Sequence, residues 1–107
     1  MDLTNLEPDD AGYYYYSLGG LARYSCNTHP QTVIKGKVVF VVSDEFHFGT
    51  GRTYESRVHF NPAYEDALQA LEESIRITGD EHHVFFEGLE HLKTVRGTFY
   101  YRLILGS

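Results

Sequence analysis

Residues 61–79 read NPAYEDALQALEESIRITG, and this stretch decides the fold class. Asn61 is a good N-cap, Pro62 suits the first helical position, and Glu65 and Asp66 complement the positive end of a helix. Tyr64, Leu68, Leu71 and Ile75 recur at intervals of three and four with Ala67 beside them, which makes one apolar stripe. Glu72, Glu73 and Arg76 are left for solvent, and Gly79 offers the left-handed conformation in which many helices end. The spacing predicts a helix over residues 62–78. Its apolar stripe must be buried against something else, and the flanking chain reads as strands.

Upstream, residues 52–60 alternate, with Tyr54, Val58 and Phe60 on one side and Thr53, Glu55, Arg57 and His59 on the other. Residues 32–48 carry Ile34, Val38, Phe40, Val42, Phe46 and Phe48 at even intervals, and Val39 and Val41 make the middle apolar on both sides, as in a central strand. Gly49, Thr50 and Gly51 supply the reversal between these two segments, which predicts a long antiparallel hairpin. Downstream, residues 82–87 read as a strand, 88–96 as a turn region and 97–105 as a closing strand.

At the other end, residues 1–12 form an irregular acidic lead-in, and Tyr13 to Tyr16 read as an additional N-terminal strand ended by Gly19 and Gly20. A short helical turn is expected within residues 18–26, and a loop over 27–31. The expected architecture is a single α+β domain spanning residues 1–107. It has a mostly antiparallel sheet of four to five strands, built from two hairpins flanking one helix that packs on one face.

Composition narrows the function. A length of 107 residues allows one core, and 42% hydrophobic, 15% aromatic and 22% charged residues argue for a folded chain. The formal net charge of −6 and scattered basic residues argue against direct contact with nucleic acid, and favour solubility or a basic partner. No apolar run reaches the roughly 18 residues that span a bilayer. The lone Cys26, and the acidic residues Asp2, Glu7, Asp9 and Asp10 where a signal peptide would be apolar, make a reducing cytoplasm the expected compartment.

Chemical motifs are sparse. His82, His83 and His91 stand near Glu81, Glu87 and Glu90, but adjacent strand residues point to opposite faces, so no metal site is expected. His47, Glu55, Arg57 and His59 would share the polar face of the first hairpin, where a base, an acid and a cation could meet or merely pair across strands. Cys26 and His29 lack an orienting third group, and Ser17, Ser25 and Ser43 lie in no nucleophile elbow. Gly49-Thr50-Gly51-Arg52 lacks the spacing of a phosphate loop. No cofactor is expected, and no motif carries a family resemblance.

The tyrosines are more informative. Strand alternation sends Tyr13 and Tyr15 to one face and Tyr14 and Tyr16 to the other, so one pair is core and the other solvated or at an interface. In the closing strand Tyr100, Arg102 and Ile104 share the outer side, and an uncovered apolar face of this kind is readily closed by self-association. The expectation is a non-enzymatic protein-binding module, a small acidic regulator or inhibitor of a larger machine. Its partner-binding residues are Tyr14, Tyr16, Glu55, Arg57, His59, Tyr100 and Arg102, and its partner is another protein or a second copy in a homodimer. The alternative is a small enzyme or ligand-binding domain with a Tyr-lined pocket between helix and sheet, served by His59, Glu55 and Arg57.

Overall fold

A helix of 15 residues, α1 (Tyr64–Thr78), packs on one face of a seven-stranded mixed sheet. The computed structural model describes Leu3 and residues 5–43, 53–79 and 81–106. The strands are β1 (Tyr14–Ser17), β2 (Arg23–Cys26), β3 (Lys37–Ser43), β4 (Thr53–Glu55), β5 (His59–Phe60), β6 (Phe85–Val95) and β7 (Thr98–Gly106). Their spatial order is β1-β2-β6-β7-β3-β4, with β5 also paired to β3.

This corrects the expected four- to five-stranded, mostly antiparallel sheet. Three antiparallel groups, β1 with β2, β3 with β4 and β5, and β6 with β7, lie side by side, and the seams between them are parallel. β6 runs parallel to β2, and β7 runs parallel to β3. The last hairpin in the chain is therefore inserted between the first two, a long-range choice that alternation within a strand does not encode.

The helix follows from its stripe: Ala67, Leu68, Ala70, Leu71 and Ile75 are buried, facing Tyr24, Val38, Phe40, Phe86 and Leu103 from the sheet. Gly79 closes it in the left-handed conformation at φ 74°, donating its N–H to the Ile75 carbonyl at 2.8 Å. The start differs from expectation. Ala63, not Asn61, is the N-cap, and its N–H donates to Asp66 Oδ2 at 2.8 Å. The N–H groups of Tyr64 and Glu65 donate to the carbonyls of Thr32 and Pro30 at 3.0 and 2.8 Å. A neighbouring strip of chain thus satisfies the helix end, where sequence reading looks for a side chain. Asn61 instead takes φ 49° and bonds Gly36 twice, through its own N–H at 2.8 Å and through Oδ1 at 2.7 Å.

Two further segments differ. Residues 23–26 form β2 rather than a helical turn, because Tyr24 and Cys26 alternate inward and are fully buried. Residues 88–95 belong to β6 rather than to a turn, and the reversal is confined to Arg96 and Gly97, whose φ values of 50° and 81° match the two-residue turns that suit the twist of a hairpin. Gly88 is a breaker by residue type but a strand residue here. It lies opposite Ile104 inside the strand, next to a register shift after Phe86. The segment expected as a strand over residues 32–48 is described as a strand only over β3, and the turn expected at Gly49-Thr50-Gly51 lies outside the described residues.

Candidate functional site

The face of the sheet opposite α1 is built from alternate residues of the same strands. On β3, Val38 and Phe40 point to the helix side, so Lys37, Val39 and Val41 point outward. Register then sets the outer neighbours in rows. Glu90, Arg102, Val41 and Glu55 form one row across β6, β7, β3 and β4. Lys93, Tyr100 and Val39 form the next, and Val95, Thr98, Lys37 and Phe60 the next again.

Two contacts organise this face. Arg102 Nη2 donates to Glu90 Oε2 at 3.1 Å, and Lys93 Nζ sits 4.8 Å from the centre of the Tyr100 ring. Both are cross-strand pairs. A bond between partly exposed ions contributes about 0.2–1 kcal/mol, so these contacts orient the side chains more than they stabilise the fold.

The returning strand does not keep one alternation. Val42 pairs with Tyr54 and Val41 with Glu55, but Val38 pairs with His59 and Lys37 with Phe60, which is a shift of one residue. Ser56, Arg57 and Val58 span the shift; Phe40 N donates to Ser56 Oγ at 2.9 Å, and Ser56 N donates to the Phe40 carbonyl at 2.9 Å. An extra residue in one strand inverts every side chain beyond it. Tyr54 and His59 are therefore on the helix side, His59 with its ring 5.4 Å from that of Phe40, while Val58 and Phe60 are 43% and 72% exposed. The expected grouping of Tyr54, Val58 and Phe60 on one side is overturned.

The same inversion separates Glu55 from His59 across the sheet, with Arg57 exposed between them, so these three do not converge on a common site. His47 lies outside the described residues. Burial lowers the basicity of His59, the Arg57 guanidinium lowers it further, and Asp66 opposes both. Between helix and sheet, Val38, Phe40, Ala67, Leu68, Leu71 and Phe86 are fully buried and fill the space that a Tyr-lined pocket would need.

The tyrosine run splits as alternation requires, but the outward pair is Tyr13 and Tyr15. Tyr14 and Tyr16 pack against the core side, the Tyr14 ring 5.1 Å from that of His29. Tyr15 is 56% exposed, and the Asp9 carboxylate beside its hydroxyl raises its pKa. Of the predicted site residues, Glu55, Tyr100 and Arg102 share the outer face. Val58, Phe60, Lys37 and Lys93 were missed there. The signal was Ser56, a polar residue at what an unbroken alternation makes an inward position.

The remaining chemistry is dispersed. His29 Nδ1 accepts from Gln31 N at 3.0 Å, so its Nε2 carries the proton facing the Leu3 carbonyl at 3.2 Å, and it does not activate the buried Cys26. His91 lies on the helix side, edge-on to Phe99 and Tyr101, with Nε2 2.9 Å from Thr94 Oγ1. Among the described residues no group of three or more His, Cys, Asp or Glu could hold a metal ion, and no helix is long and apolar enough to cross a membrane. Comparison with protein-family models, with curated proteins and with solved structures finds no match.

Proposed function

We propose that this protein is a non-enzymatic protein-binding module, a cytoplasmic regulator or inhibitor of a larger assembly, which engages its partner through the helix-free face of the sheet. One observation carries the reading. Phe60 and Val58, at the β5 side, and Val95, on β6, are 72%, 43% and 43% exposed on the face that α1 does not cover, with Val39 and Val41 buried between them. An exposed apolar group framed by polar residues is the usual anatomy of an interface. The contribution of Tyr14 and Tyr16 is then to hold β1 in place, while Tyr100 and Arg102 make contact. The enzyme alternative gains no support, because His59, Glu55 and Arg57 do not converge.

The test is native mass spectrometry of untagged protein isolated from its own cells without chelator, comparing the wild type with a Tyr100→Ala/Arg102→Ala variant whose folding is checked by circular dichroism. The wild type is expected to carry a second protein chain, either another protein or its own copy, and the folded variant is expected to lose it. Undiminished binding by the variant, or a stoichiometric metal or small molecule in place of a protein, would overturn the proposal.

A further inference from the structure

We infer that the occupant of the outer sheet face is an acidic segment of another protein carrying aliphatic or aromatic side chains, an inference that rests on the binding-module reading. The chain is acidic as a whole, at −6, yet among the described residues of the outer rows three cations, Lys37, Lys93 and Arg102, stand against two carboxylates. Lys37, Lys93 and Arg102 lie on the outer rows, Arg57 stands in the bulge at their edge, and Arg96 is in the turn beside Val95. These are five of the nine basic residues. Against them the same rows present Glu55 and Glu90, and Glu90 is bonded to Arg102. The carboxylates of Glu65, Asp66, Glu72 and Glu73 belong to α1, and those of Glu7, Asp9 and Asp10 to the lead-in.

Apolar and cationic groups are interleaved within this patch. Phe60 neighbours Lys37, Val95 is followed by Arg96, and Lys93 rests on Tyr100. A ligand that covers Phe60 and Val58 must bring apolar groups, and its flanking charges will then face Lys37, Lys93 and Arg57, where carboxylates are attractive and ammonium groups repulsive. A second copy docked face to face would bring the same cations together, which disfavours self-association here. A nucleic acid would supply negative charge, but a long polyanion also meets the acidic remainder of the chain. A short acidic segment responds chiefly to charges within a Debye length, about 8 Å at physiological salt.

The test uses fluorescence anisotropy with three labelled probes: a short peptide rich in Glu, Asp, Leu and Phe, its counterpart with Lys replacing the acids, and an oligothymidylate. The full chain is used, with backbone NMR shifts locating the contact. The acidic peptide is expected to bind at Phe60, Val58 and Tyr100, to weaken as salt is raised, and to lose about tenfold or more in affinity in the Lys37→Glu/Lys93→Glu variant. The variant's NMR spectrum verifies its fold. Equal or tighter binding of the Lys peptide at the same residues would overturn the acidic assignment and leave the module reading standing. Tighter binding of the oligothymidylate would overturn it in favour of nucleic acid. Binding of no probe to this face, or binding elsewhere, would count against both.

Discussion

Glu72 on α1 reaches across to the loop that feeds β2, and removing its carboxylate should reveal how the first hairpin is held. Oε1 accepts the Leu21 N–H at 2.9 Å and Oε2 accepts that of Ala22 at 3.0 Å. Leu21 is 46% exposed, so water can replace the first bond at little cost. Ala22 is buried, and losing a charged acceptor there costs about 1.5–3 kcal/mol. Glu72→Ala should therefore destabilise by about 2 kcal/mol, a drop in Tm on the order of 8–16 °C for a domain of this size. Gly20 supplies an independent route to the same loss. A Cβ built on Gly20 would overlap the carboxylate of Glu72, at Oε1 and Cδ, so Gly20→Ala must expel it. The two substitutions remove one interaction, and the double variant should cost about 2 kcal/mol rather than about 4. Urea unfolding of all four proteins, followed by circular dichroism, measures the coupling. Additive losses would refute the latch.

Other positions give equally sharp expectations. The lowered pKa of His59 means that the unfolded chain binds its proton first as pH falls below 6.5, so stability should decline between 6.5 and the lower folded value; His59→Gln should flatten that part of a Tm-versus-pH curve. Gly36→Ala should destabilise by about 1–3 kcal/mol in urea, because φ is +109° and the added Cβ would meet the Phe99 ring at 3.0 Å. Phe86→Ala, at a fully buried position, should cost about 3–5 kcal/mol, whereas Phe60→Ser should change stability by less than about 0.5 kcal/mol. The contrast separates the two faces by measurement.

Local physics was legible in the sequence, and long-range pairing was not. The stripe of α1 and its stop at Gly79 need only neighbours along the chain, as does the central position of Val38 to Val42. The helix start differs because its N–H groups are answered by the carbonyls of Pro30 and Thr32, about a third of the chain away, where no side-chain cap signal is read. β2 offers only Tyr24 and Cys26 as inward residues, too few to outweigh the breaker reading of Gly19 and Gly20. The order of the strands depends on which hairpin edges meet, and both parallel seams join segments far apart in sequence. For the candidate site, the outward placement of Tyr100 and Arg102 followed from alternation alone. Phe60 did not, because the extra residue near Arg57 inverts the strand after Ser56.

Site-directed photocrosslinking asks whether the helix-free face of the sheet is the interface. Position 60 and position 77 are matched in exposure, at 72% for Phe60 and 64% for Ile77, but Phe60 is on the outer sheet face and Ile77 is on α1. A benzophenone amino acid placed at each position of the full chain, irradiated in its own cells, should yield one defined protein adduct from position 60 that Lys37→Glu/Lys93→Glu removes, and none from position 77. Adducts from position 77 alone, or the same adduct from both, would contradict the account.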